Sequence, residues 1–305
     1  MRISIMASLS GSGGRSAVDA TVEHLAALHD EGFRRVWFSQ LPNEPDLLTV
    51  LAVALREVDG IEAATGVLPI QNQHPMLLAQ RALTLSLLSG GRFVLGLGLT
   101  HQVVTEGMWG IPWDKPVRRL REYLDGLLPL LAGEPADAVG ETVTTRGALN
   151  IGAPAPDVYL AALGPQLLRL AGRRTAGTVT WMTGAQTLAE HVSPTLRAAA
   201  EEAGRPADAV RVVAALPVAV TDDVAALRAT AAKQFAVYGQ LPSYRAMLDR
   251  EGYAGPEDAA IIGSEDEVAQ RLAALRGVDE FVGAVFDPSP EGSARTRALL
   301  RRLDS

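Results

Sequence analysis

A chain of 305 residues, 48% hydrophobic and 21% charged, has room for one large α/β barrel or two ordinary domains. Its 35 acidic residues against 28 basic ones leave a net charge of −7, the wrong balance for the basic stripe that polyphosphate binding needs, so no nucleic-acid partner is expected. The lack of cysteine excludes disulfides, thiolate zinc sites, iron–sulfur clusters and a thiol nucleophile, while the absence of any run near ~18 apolar residues and the short apolar start Met1–Ala7 lead us to expect a cytoplasmic protein with no membrane partner.

Short runs rich in β-branched and aromatic residues alternate with longer runs of helical period. Ile3–Ala7 reads as a strand, Ser8–Arg15 as a Gly/Ser loop, and Ser16–Asp30 as a helix with Val18, Val22, Leu25 and Leu28 on one face, stopped by Gly32. Val36–Phe38, Ile61–Leu68 and Arg92–Leu97 read as the next strands, and Asp46–Arg56 and Pro75–Leu88 as the helices between them. A long loop, Gly98–Asp114, leads to a helix at Lys115–Leu131. The rhythm breaks over about 133–156, where Glu141–Thr145 suggests an excursion with its own short strand. It resumes with strands at Val158–Ala162, Thr178–Trp181, Val210–Val220 and Glu280–Phe286, and with helices at Pro165–Arg174, Ala185–Ala203, Glu265–Arg276 and Ala294–Leu303. The helical stretch after Val220 carries a Gly/Pro-rich interruption at Gly239–Pro256. Eight strands, each followed by helix, fit a (β/α)8 TIM barrel read as one domain over 1–305, and a doubly wound sheet with an appended domain is the alternative.

In such a barrel the chemistry sits where the strands end. The second strand ends in Ser39-Gln40-Leu41-Pro42, without an ionisable group. The third ends in Thr65-Gly66-Val67-Leu68-Pro69, which reads either as a bulge with a terminating proline or as backbone shaped to meet a flat ligand. After the fourth come Gly98, Leu99, Thr100 and His101, whose imidazole is either a proton donor or acceptor or is held by loop backbone. Leu163-Gly164-Pro165-Gln166 opens a helix with free N–H groups, a favourable place for a phosphate. Trp109, Trp113 and Trp181 fall on loops of the same expected face and are candidates to wall an apolar ligand.

Sharper motifs are missing. Gly11-Ser12-Gly13-Gly14 does not spell G-x-G-x-x-G, and no P-loop, nucleophile elbow or H-E-x-x-H occurs. Carboxylates do not cluster at the strand ends, so no metal is expected. A glycine-lined, aromatic mouth with few ionisable groups suits a cofactor that carries the chemistry itself.

Thr65-Gly-Val-Leu-Pro, His74-Pro-Met-Leu-Leu-Ala-Gln-Arg-Ala-Leu-Thr-Leu and Ser89-Gly-Gly-Arg-Phe-Val-Leu-Gly-Leu-Gly, continued by Gly110–Leu124 and Ala162–Gly172, resemble the bacterial luciferase-like monooxygenase family. The coenzyme F420-dependent branch looks closer than the FMN-dependent luciferases. The resemblance implies a (β/α)8 barrel holding a flavin-like ring over a non-prolyl cis peptide, a place matched by Gly66-Val67. It also implies ring or ribityl contacts from Ser39, Gln40, Gly98, Leu99 and Thr100, and a phosphate at Leu163, Gly164, Pro165 and Gln166. Sugar-phosphate dehydrogenases of the family carry an Asp-His pair where Gln40 and Leu41 stand and a Glu near His101, so their acid/base pairing does not carry over and His101 is the best remaining catalytic candidate. The expected activity is hydride transfer between coenzyme F420 and a small organic substrate, with an FMN-dependent monooxygenase or a non-catalytic ligand-binding barrel as alternatives. A homodimer fits the family, though periodicity does not show one.

Overall fold

The computed structural model describes residues 1–9 and 16–304. It runs β1 (Arg2–Ala7), α1 (Ala17–Asp30), β2 (Arg35–Phe38), α2 (Leu47–Glu57), β3 (Glu62–Thr65), β4 (Leu68–Pro69), α3 (Pro75–Ser89), β5 (Phe93–Gly98), α4 (Gln102–Gly107) and α5 (Pro116–Leu131). A hairpin, β6 (Ala136–Val139) and β7 (Thr144–Gly147), precedes β8 (Val158–Ala161), α6 (Pro165–Arg174) and β9 (Gly177–Trp181). Then come α7 (Ala185–Thr187), a π turn (Leu188–Val192), α8 (Ser193–Glu202), β10 (Arg211–Val220), α9 (Val224–Gln234), α10 (Pro242–Glu251) and α11 (Pro256–Ala259). β11 (Ile261–Gly263), α12 (Glu265–Ala273), β12 (Glu280–Val285) and α13 (Pro290–Leu303) close the chain. The Gly/Ser loop expected over 8–15, with its Gly11–Gly14 run, lies beyond Leu9 outside the described residues.

Four features depart from the periodicity reading. The strand expected over Ile61–Leu68 is two pieces, β3 and β4, with the cis Gly66–Val67 peptide bond between them. The loop Gly98–Asp114 contains the short helix α4. The helix expected at Ala185–Ala203 widens into a π turn just ahead of Pro194, which has no N–H to give to the preceding turn. β11 is an extra strand that the Gly/Pro-rich stretch before it hides from a periodicity count.

Two compact units emerge from the contacts, one of Met1–Ala7, Glu31–Phe33 and Ala162–Ser305, the other of Ser8–Asp30 and Arg34–Ala161. In the first, β10 is paired in parallel with β12 on one edge. Its other edge meets β9 over Arg211–Ala215 and β11 over Val218–Val220. Pro217 falls between these two registers, the stretch of that edge where a missing N–H matters least. Every residue of β10 but Arg211 is buried, as expected of a strand covered on both faces.

The second unit is a parallel sheet in the order β2, β3, β5, β8, with β4 also against β5 and the antiparallel hairpin β6–β7 outside it. His74 caps α3: its Nδ1 accepts from the Met76 N–H (3.1 Å), so Nε2 carries the proton and donates to the Thr144 carbonyl (2.9 Å). That bond ties α3 to β7, a structural duty for a histidine next to the strand mouth.

The glycines after β3 set the closest packing. A Cβ on Gly96 would sit 1.9 Å from the Thr65 carbonyl oxygen, and one on Gly98 would sit 2.7 Å from Val67 Cγ2 and 3.1 Å from Ala161 Cβ. The sequence alone suggests that these glycines admit a ligand; in the structure they admit the end of β3 and the Val67 side chain. Thr65 Oγ1 locks the same junction, donating to the Gly96 carbonyl (2.8 Å) and accepting from its N–H (2.8 Å). Gly96→Ala should therefore destabilise the fold by about 2–3 kcal/mol, because the opposing atom is backbone and cannot turn aside. Gly107→Ala, whose Cβ meets nothing within 4 Å, should change stability by no more than about 0.5 kcal/mol. Urea unfolding of the two variants checks the contrast, and equal losses would refute the packing argument.

Candidate functional site

In the second unit the ends of β2, β4 and β5 converge. Phe38 pairs with Thr65, Leu68 with Leu97 and Pro69 with Gly98, so Ser39, the Gly66–Val67 bond and the Leu99–His101 segment emerge side by side. The Gly66 N–H donates to the Phe38 carbonyl (2.7 Å) and the Ile70 N–H to the Gly98 carbonyl (3.2 Å), stitching across the cis bond. Ser39, Gln40, Gly66, Val67, Gly98, Leu99, Thr100 and His101 are thus brought together.

Their duties differ. Both ends of the Gln40 amide are engaged by backbone: Nε2 donates to the Leu41 (2.9 Å) and Pro45 (3.1 Å) carbonyls, and Oε1 accepts from the Leu47 N–H (2.7 Å). Gln40 therefore shapes the loop that leads into α2. His101 is the N-cap residue of α4, and its carbonyl accepts from the Val104 (2.9 Å) and Thr105 (3.1 Å) N–H groups. Burial pushes its imidazole below the ordinary histidine value, which favours the neutral ring.

Beside this mouth opens a cleft of about 290 Å³ to which Gln40, Thr100 and Trp109 contribute. Its floor is a relay of polar groups. Asp46 caps α2 by accepting from the Thr49 N–H (2.9 Å) and hydroxyl (2.6 Å), and it also pairs with Arg81. Arg81 Nη1 donates to Gln73 Oε1 (3.3 Å), and Gln73 Nε2 donates to the Pro69 carbonyl (2.8 Å). Burial works to raise the Asp46 pKa, but the bonds from Arg81 and Thr49 outweigh it and hold the carboxyl below its usual range.

Gln71 stands at the same junction. Its Oε1 accepts from the Thr100 N–H (3.3 Å), whereas its Nε2 is buried without a hydrogen-bond partner. Trp113 is not part of the cleft wall; its N–H donates to Glu106 (3.0 Å), which that bond and a second from Gln102 hold below the usual carboxylate range.

The other candidates belong to the first unit. Leu163, Gly164, Pro165 and Gln166 begin α6, with Gly164 as an N-cap that lacks a side-chain bond and faces open space. The His191 ring bonds the Leu163 carbonyl (2.9 Å) and steadies that turn. Trp181, at the end of β9, stands edge-on to Phe235 (5.9 Å) and Tyr238 (5.8 Å); Phe235 continues to Phe286 (5.6 Å) and Tyr238 to Tyr244 (5.1 Å). Met182 beside it is fully buried and packs.

Sequence reasoning missed Asp46, Gln71, Gln73 and Arg81, and the aromatic partners of Trp181. The run Gln71-Asn72-Gln73, abruptly polar after an apolar strand, was the available signal for the first group. Tyr238 and Tyr244 lie within or beside the Gly/Pro-rich interruption, where no period marks them. Among the described residues there is no cluster of His, Asp or Glu that could hold a metal, and no helix is long and apolar enough to cross a membrane.

A family model described as luciferase-like monooxygenase matches residues 1–285. The 5,10-methylenetetrahydromethanopterin reductase of Archaeoglobus fulgidus is 29% identical over 233 residues, covering 75% of this chain and 68% of that protein. The structure of the coenzyme F420-dependent tetrahydromethanopterin reductase from Methanopyrus kandleri superposes with a TM-score of 0.82 at 21% identity, over 99% of this chain and 97% of that one. The oxygenating constituent of 3,6-diketocamphane monooxygenase from Pseudomonas putida, solved with FMN, gives 0.80 at 19% identity, over 100% and 98%. These likenesses show the fold, a (β/α)8 barrel.

Because desolvation disfavours the charged ring, His101 should titrate below 6.5 in two-dimensional NMR of the imidazole carbons, and falling pH should destabilise the chain by forcing a charge into that site. A midpoint at or above 6.5 would show that the ring is not shielded.

Proposed function

As the chain belongs to the luciferase-like monooxygenase family, whose members are oxidoreductases and monooxygenases, we propose that it binds coenzyme F420 and moves a hydride between that coenzyme and a small organic substrate. The observation that carries this reading is the mouth formed by Thr65–Leu68 and Gly98–His101. It offers backbone in an unusual geometry and few ionisable groups, which suits a cofactor that brings its own reactivity. The buried Gln71 amide nitrogen fits such a group, because it is a donor still available to a ring carbonyl or a ribityl hydroxyl.

When bound, the coenzyme supplies the carbon that carries the hydride. The chain's residues do the rest. Gly66 and Val67 present a backbone edge to the ring, and Ser39, Gly98, Leu99 and Thr100 border it. Gln40 holds the neighbouring loop. In the other unit the start of α6 at Leu163–Gln166 is by itself a place where the helix dipole favours an anion such as a phosphate. Neutral His101 accepts a proton from the substrate oxygen, or its protonated form returns one, and Trp109 excludes water from the substrate.

An FMN-dependent monooxygenase is the second reading, favoured by the similarity to the FMN-bound Pseudomonas putida protein. Anaerobic titration separates the two. F420 should bind with a dissociation constant in about the micromolar range, and FMN at least about tenfold more weakly; the reverse order would establish the second reading. Gly164→Leu should weaken inorganic phosphate at the start of α6 at least about tenfold by filling its approach, and an unchanged affinity would remove the anion from that helix start.

A further inference from the structure

The cleft beside β2, β4 and β5 has a chemistry of its own. Leu68, Pro69 and Trp109 wall it, and Leu41 and Leu77 line it while each remains 47% exposed, which leaves apolar surface open to a ligand. Its charged groups are Glu44, Asp46 and Arg81, two carboxylates against one guanidinium. The capacity of Asp46 is spent on the α2 cap and on Arg81. Arg81 uses one N–H on Asp46 and one on Gln73, which leaves three of its five N–H groups beyond those two bonds. Glu44 uses one oxygen on the Leu41 N–H (3.4 Å).

We propose that this cleft is a substrate subsite for small, mostly apolar carbonyl or hydroxyl compounds without negative charge, and that Glu44 makes it reject carboxylates. The proposal rests on the oxidoreductase reading and names the substrate class that reading leaves open. An uncharged oxygen accepts from Arg81 while its apolar body lies against Leu41, Leu77 and Trp109. A carboxylate gains little from Arg81, whose charge Asp46 already balances, and it shares the cleft with Glu44, which repels it. The volume of about 290 Å³ sits at the low end for ligand pockets and sets the size of the compound.

The test is calorimetric titration of the full chain, without coenzyme, using 4-phenyl-2-butanone and 4-phenylbutanoate. The ketone should bind tighter, with the carboxylate at least about tenfold weaker. Glu44→Gln should strengthen the carboxylate at least threefold and leave the ketone within twofold, whereas Leu77→Asp, at an exposed position, should weaken the ketone at least fivefold. The proposal is overturned if no probe binds, if the carboxylate matches the ketone, or if Glu44→Gln leaves the ratio unchanged. Because no coenzyme is present, failure to bind F420 and failure of this subsite register separately.

Discussion

The site depends on how closely β3 and β4 lie against β5. Thr65 reaches Gly96 through both a donated and an accepted hydrogen bond, and Val67 fills the space that a side chain at position 98 would take. Everything at the mouth inherits this junction. The cis bond lies between the two strand pieces, Pro69 pairs with Gly98, and the Ile70 N–H is bound to the carbonyl of the same glycine. The segment Leu99–His101 leaves β5 from a fixed point as a result. Interdigitated packing of this kind tolerates no extra methyl group against backbone, so the glycines here serve the protein's own chain before any ligand.

Much of this was legible in the sequence, for identifiable reasons. Long apolar runs such as Val212–Val220 can only be strands covered on both faces, and helices that begin with a proline, such as α3 and α6, announce their own start. The grouping of Ser39, Gly66 and Thr100 follows from the rule that parallel strands end on one side. What periodicity could not supply was duty. Gln40 looks like a ligand-facing amide until both its ends are found on backbone, and His74 looks like loop until its two nitrogens are found on Met76 and Thr144. Those assignments depend on contacts 70 residues apart or on turns that only the folded backbone defines.

The relay Asp46–Arg81–Gln73–Pro69 is a second such case. Asp46 is readable as a helix cap, since Thr49 follows it by three residues, but nothing local marks Arg81 as its partner 35 positions on. An exposed ion pair is worth little by itself, about 1 kcal/mol or less. Here its value is geometric. It joins the start of α2 to the carbonyl of Pro69 through α3, so the loop after β2 and the end of β4 hold a fixed separation across the cleft.

That separation links the two kinds of recognition proposed for the unit. A ring held by backbone at Gly66–Val67 needs no charge from the protein, and a neutral substrate needs only a donor and an apolar wall. Arg81 can serve as that donor because Asp46 has already balanced its charge, so it offers N–H groups without presenting a net cation to the mouth. The same pairing leaves Glu44 as the cleft's uncompensated charge. On the proposed reading, selectivity by sign comes from Glu44 and orientation from Arg81, and a chain with few ionisable groups at its strand ends chooses among substrates without placing a strong charge beside the proposed ring site.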